Sequence, residues 1–387
     1  MKAWSSAALV GILLAGCETP QSGPPWPVTG DPIVDGQAAI AHCPPRDRVL
    51  WQERTALAAM RRGNYSLAKQ LLDEVIARLG GIYGSDADAK RARSYFSEES
   101  KKTFIGEPYE RVMAYYYRGI LYWMDGEVDN ARACFLSGQL TDADTENKQY
   151  ASDYVLLDYL EGLATTTLGG DGSYSFKRAE SLARRSLPRY HLEANVLFFA
   201  DFGIGPTKYA TGQYGEQLRF RPGSSVAESV LISFDDQNYR VPALDDLTFQ
   251  ATTRGGRVMD HVLANKAVFK TTTSAVGDAA IVSGAVVASQ GNGNNAATGA
   301  GIGLMFAGLV SKMISAATTP AADTRAWQNL PQFLAFIAVP IPPGPHQVRV
   351  DFLDHNGNPV ANLSRTLTIN VSDPPRDTVV FVSDKNQ

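Results

Sequence analysis

Few side chains in this 387-residue sequence sit in a pattern that chemistry would need, and Cys17 is the clearest. It closes the run Leu14-Ala15-Gly16-Cys17, after a segment headed by Lys2 and apolar from Ala7 to Leu14. A thiolate is a strong nucleophile near neutral pH, so this cysteine is a candidate for covalent modification. Carboxylates are present at Asp201, Asp235, Asp236, Asp245 and Asp246. Hydrolysis of a glycan needs two acids that converge, and this spacing favours such a pair no more than it favours loop solubility. Glu107, Glu110 and Arg111 are close enough in sequence to form a charged contact, which on a helix is usually a solvated face. His42, His191, His261, His346 and His355 are scattered, with no His-x-x-x-His or Cys-x-x-Cys, so no metal-ligand spacing and no cofactor signature is visible. Gly203-Ile204-Gly205-Pro206-Thr207-Lys208 has the glycines and lysine of a phosphate loop, but Pro206 spoils the amide cradle and the full spacing is absent. It reads as a glycine-bent turn between strands. No catalytic residue is assigned.

The N-terminal layout is that of an exported signal peptide over residues 1–16: a positive start, a short apolar core, then small residues. The apolar run is far short of the roughly 20 residues that span a bilayer. The small-small-Cys ending resembles the bacterial lipobox. That resemblance implies a palmitate-type lipid anchor on Cys17, which becomes the first residue of the mature chain. Residue 18 is Glu, not the Asp that tends to retain such proteins at the inner membrane, so the resemblance implies an outer-membrane, periplasm-facing protein. Residues 17–45 are rich in Pro, Gly, Thr and Ser and read as a flexible tether. Beyond Cys17 the remaining thiols, Cys43 and Cys134, are candidates for a disulfide in an oxidising compartment, or for buried free cysteines. A net charge of −4 argues against a nucleic-acid partner, which calls for a clustered basic face.

From residue 46 to 190 apolar residues recur three and four apart, predicting helices. Gly119, Tyr122, Gly126, Ala131, Phe135 and Gly138 fall at offsets of three, seven, twelve, sixteen and nineteen from the first. This spacing resembles the tetratricopeptide repeat: a turn glycine, a small residue where two helices meet, and aromatics in the seam. Gly63-Asn64-Tyr65 with Ala68 and Leu72 matches half of such a unit; Gly162, Gly169, Ala179, Ala183 and Ser186 match another. The stretch Thr103–Arg111, with Tyr115-Tyr116-Tyr117, is similar to a group of uncharacterised bacterial lipoproteins with tetratricopeptide-like helices. The resemblance implies a groove lined by the first helix of each unit, with Tyr115, Arg118, Tyr122 and Tyr159 as candidate contacts to an envelope protein partner.

Residues 191–387 change to strand chemistry. Val196–Phe199, Val230–Phe234, Leu247–Ala251, Phe333–Val339, Val348–Phe352, Leu367–Val371 and Val379–Val382 read as strands, with a hairpin turn at His355-Asn356-Gly357. Interrupting them, residues 275–317 form two small-residue arms. Ala280, Gly284 and Ala288 recur every four residues in one arm, and Gly299, Gly303 and Ala307 in the other. Such stripes let helix backbones approach, predicting a helical hairpin. It either packs on its own domain, packs on a partner or on copies of itself in a homo-oligomer, or enters the membrane. Asp278 and Lys312 weigh against the last.

The expected fold is therefore α+β: N-terminal tetratricopeptide-like helical hairpins, then a β-rich region with an inserted small-residue hairpin and a C-terminal β-sandwich-like meander. The expected function is that of a non-catalytic outer-membrane scaffold or assembly factor for an envelope complex. An envelope enzyme acting on glycan or peptidoglycan, and an oligomeric pore component using the hairpin, are the alternatives.

Overall fold

The structure is a computed structural model in which residues 26, 28–82, 103–143, 152–189, 191, 193–213, 217–252 and 322–385 are described. The signal segment, Cys17 and the 275–317 hairpin, with Ala280, Gly284, Gly299, Gly303 and Ala307, lie outside the described residues. The chain is α+β. A helical region is followed by a β-rich region of three sheets, none of them closed.

The helices begin earlier than a tether over 17–45 allows. Helix α1 (Pro32–His42) has Asp31 as N-cap, its carboxylate accepting from the amides of Ile33 at 2.8 Å and Val34 at 3.2 Å. Pro32 opens the first turn, where its missing N–H costs nothing. Three pairs of contacting helices follow: α2 (Arg48–Arg61) with α3 (Tyr65–Ile82), α4 (Pro108–Met124) with α5 (Val128–Asp142), and α6 (Val155–Thr167) with α7 (Ser173–Leu182). Each pair turns at a glycine with positive φ: Gly63 at 72°, Gly126 at 83° and Gly169 at 82°. At Gly119 a Cβ would lie 2.5 Å from Cε1 of Phe135, so only a glycine lets α4 sit this close to α5. Ala131 is fully buried in the same seam.

Strand β1 (Val196–Phe202) is buried along its whole length. Its alternation serves two cores. Leu197 and Phe199 join the helices, while Val196, Phe198, Ala200 and Phe202 face a second sheet. The strand β10 (Thr378–Ser383) lies parallel to β1 on one side, and β7 (Phe333–Val339) antiparallel on the other. The two-residue β6 (Asp245–Asp246) completes a sheet of order β10-β1-β7-β6. The second sheet is antiparallel and has the order β5-β4-β8-β9, from β4 (Ser229–Phe234), β5 (Gln237–Pro242), β8 (Gly344–Leu353) and β9 (Arg365–Val371). A separate hairpin pairs β2 (Thr207–Thr211) with β3 (Gln217–Arg221). The molecule is thus layered: helices, first sheet, second sheet. The helices and the first sheet share one apolar core that includes Tyr116, Leu160, Leu197 and Phe336.

Two strand expectations change. Leu247–Ala251 lies in a short helix, α8 (Leu247–Thr252), started by the Asp246 carboxylate on the Thr248 amide at 2.8 Å. Val379–Val382 does not continue a C-terminal meander but crosses to β1. There Phe381 fills the helical side and Val380 and Val382 the other.

Candidate functional site

The densest group of buried charge lies where the helical layer meets the β2–β3 hairpin. Helix α4 opens with a capping box in which Glu110 reaches back to the Glu107 amide at 2.7 Å. The same Glu110 carboxylate accepts from the Trp327 amide at 2.7 Å and is in contact with the Lys208 ammonium. The Lys208 side chain is 1% exposed; it also donates to the Arg325 carbonyl at 2.9 Å, and Glu107 is 4.0 Å away. Phe104 closes the group, its ring centroid 5.5 Å from the lysine nitrogen. Glu53, from α2, is fully buried beside it, and neither of its carboxylate oxygens meets a donor. Burial, then the nearby Glu110, pushes its carboxyl well above the usual range. The lysine of the Gly203–Lys208 turn is therefore the counter-ion of Glu110, ninety-eight residues away in sequence.

A second centre ties α2 and α4 to β1. Asp201 is fully buried and accepts from the Arg61 guanidinium at 2.9 Å and the Tyr117 hydroxyl at 2.8 Å. The stretch 323–330 is stitched to the helices by backbone and side-chain bonds. Arg61 donates to the Asn329 carbonyl at 2.8 Å, and Asn329 donates to the Arg54 carbonyl at 2.9 Å. Arg325 pairs with Asp323 and with Asp47, each at 2.6 Å. The Arg325–Asp47 contact pins this stretch to the start of α2.

The acids do not converge as a catalytic pair. Asp201 is tied to Arg61 and Tyr117. Asp245 accepts from the first amides of α6, Val155 at 3.1 Å and Leu156 at 2.8 Å. Asp246 caps α8, and Asp235 and Asp236 are exposed at the β4–β5 turn. His355 is exposed and His346 half-buried. Among the described residues no group of three His, Cys, Asp or Glu could hold a metal, and no helix is long and apolar enough to cross a membrane.

The face that α2, α4 and α6 share is packed against the first sheet, and among the described residues no open groove lies there. Tyr116 of α4 packs on Phe199 of β1, Tyr117 on Phe381 of β10, and Tyr159 of α6 on Phe336 of β7. Tyr159 is 3% exposed and donates to the Pro188 carbonyl at 3.0 Å; it is a core residue. Tyr115, Arg118 and Tyr122 lie on another side of α4. Arg118 pairs with Asp73 of α3 at 2.7 Å and lies 3.4 Å over the Tyr122 ring, which is half-exposed, as is Tyr115. Cys43 and Cys134 are both free thiols. Cys43 ends α1, whereas Cys134 is buried on α5, where loss of solvent pushes its thiol up to about 11.

A third acid group lies between α5, α6 and α7. Burial pushes Asp158 up to about 7, against the opposing effect of Arg178, whose Nε is 3.1 Å away. Its folded form binds a proton more tightly than its unfolded form. Its contribution to stability is therefore full below about pH 4 and is lost as pH rises to about 7. The shift amounts to on the order of 4 kcal/mol at most. Replacing Asp158 with Asn should flatten that part of the profile, so that the variant gains on the wild type between pH 5 and pH 8 in melting temperature. An unchanged difference across that window would refute the assignment.

Sequence periodicity could not have found Lys208 or Asp201, because each is defined by a partner on another layer. The only local sign was a lysine directly after a glycine-bent turn. Compared with known families, curated proteins and solved structures, the chain matches no family model, no curated protein and no solved structure.

Proposed function

We propose that this chain is a non-catalytic outer-membrane lipoprotein, anchored through Cys17, that scaffolds or assembles a protein complex of the envelope. The helical hairpins are read as tetratricopeptide-like, with the glycine turns and the Gly119–Phe135–Ala131 seam of that repeat. One observation supports the reading most. Two buried carboxylates join layers, Glu110 with Lys208 and Trp327, and Asp201 with Arg61 and Tyr117. A carboxylate that already holds such donors is a structural cross-tie, not a proton shuttle open to substrate. Because the chain's own sheet occupies the shared helix face, a partner would be met on the outward surface. Leu136 and Leu140 of α5 are there, 42% and 76% exposed, as is Tyr174 at the start of α7.

The anchor has a direct test. A myristoyl-sized chain contributes about 0.8 kcal/mol per buried CH₂, and two or more chains hold a protein at a bilayer stably. Cys17→Ala should move the protein from the membrane pellet to the soluble fraction. Wild-type partitioning in that variant would refute the anchor.

A further inference from the structure

Trp26 comes nine positions after Cys17 in the sequence and already packs on the folded body. Its ring meets Trp51 of α2 edge-on, with centroids 6.0 Å apart. Trp51 is itself braced. The Arg54 guanidinium lies 5.0 Å from its ring centroid and donates to the Ala326 carbonyl at 2.5 Å. The chain is fixed again at Thr29 and Gly30, whose amides donate to the Asp35 carboxylate at 2.7 and 2.9 Å. Next to these fixed points two apolar side chains face outward. Val28 is 65% exposed, and Val34, in the first turn of α1, is 50% exposed. The charges around them are mixed in sign. Asp31 pairs with Arg62 at 2.5 Å and Asp47 with Arg325 at 2.6 Å, Asp35 holds its two amides, and Arg46 and Arg48 are exposed.

The nine residues from Cys17 to Trp26 reach about 30 Å when fully extended and span about 17 Å as a flexible coil. A compact chain of this length is about 50 Å across. An acyl group on Cys17 would therefore hold the body by a link shorter than the body itself. The side that carries Trp26 would stay near the bilayer, and the opposite side could not reach it. At that range contact with the surface is intramolecular, so a small apolar patch with a balanced rim meets the lipid at a high effective concentration. Apolar side chains enter the boundary between headgroups and acyl chains, and tryptophan rings settle there. We propose that the start of α1, with Val28, Val34 and the neighbouring Trp26, is the bilayer-facing surface of this protein, with the helical layer towards the membrane and the second sheet away from it. This rests on the lipid anchor proposed above and gives that anchor an orientation.

The test uses the full mature chain in vesicles of phosphatidylethanolamine and phosphatidylglycerol. A fluorescent amino acid replaces Val34 in one sample and Asp236 in another. Asp236 is exposed at the β4–β5 turn, with the first sheet between it and the helices. Lipids brominated on their acyl chains quench only a fluorophore in or beside the bilayer. Emission from position 34 should fall about twofold or more in brominated vesicles, and emission from position 236 should not change. Val28→Glu, an exposed position, should remove most of the quenching at position 34 while the chain still pellets with the vesicles, because a charge opposes entry and the acyl chains remain. No quenching at position 34, or equal quenching at both positions, overturns the orientation. So do adducts to another envelope protein, in place of lipid, from a photoreactive residue at position 34 in the native envelope. Mass spectrometry of the N-terminal peptide separates the two claims. An acylated Cys17 with position 34 unquenched removes the orientation alone, whereas an unmodified Cys17 removes the anchor and the orientation with it.

Discussion

Lys208→Met is expected to destabilise the protein by about 3–5 kcal/mol, the range seen when one member of a buried ion pair is removed. The lysine side chain is 1% exposed, so no water replaces the lost ammonium. Glu110 keeps the Glu107 and Trp327 amides, but its charge is left facing Glu107 and the buried Glu53. Adding Glu110→Gln to Lys208→Met should recover part of the loss, since an uncharged pair strands nothing. Urea denaturation of the single and double variants measures this. A single variant within 1 kcal/mol of wild type would mean that the pair is not buried as described.

Asp201→Asn should cost a similar amount, about 3–5 kcal/mol, for the converse reason. It leaves the Arg61 guanidinium, whose side chain is 6% exposed, without the carboxylate it is hydrogen-bonded to. Arginine cannot shed its charge at any pH the fold survives, so this loss should be nearly the same at pH 5 and pH 8. Both centres join α2 and α4 to the sheet layers, so unfolding of either variant should remain a single transition by far-UV dichroism and tryptophan fluorescence alike. Trp123 and Trp327, buried in the helical core, report on its packing.

The helical hairpins were legible because their signals are local. Glycines at Gly63, Gly126 and Gly169 set the turns, and the offsets from Gly119 to Phe135 describe one helix pair without reference to anything beyond it. Strands β4, β8 and β9 were legible from alternation, β1 and β7 from continuous apolar runs, and the turn at Gly357, with φ at 82°, from Asn-Gly. What escaped was pairing across layers. Nothing local distinguishes a β10 that continues a meander from one that lies parallel to β1, since Val379–Val382 is apolar on both faces. Helix α1 was hidden by proline and glycine, residues that suit a tether but also suit a capped helix start, as Asp31-Pro32 is. In α8 six residues are too few for a helical period to outweigh apparent alternation. Tyr159 fits a groove position in a repeat standing alone; it is buried because the sheet covers that face.

The central claim is that the inner face of the helices belongs to the chain's own sheet, so that any partner is met from outside. Photo-cross-linking in the native envelope tests it most directly. The photoreactive residue p-azidophenylalanine replaces Tyr116, a close match in size, or Leu140. From Tyr116 the adducts should stay within the chain, on the strand containing Phe199, whose ring centroid is 6.3 Å away. From Leu140 they should include a second envelope protein. Adducts to another protein from Tyr116, with Leu140 silent, would contradict the claim.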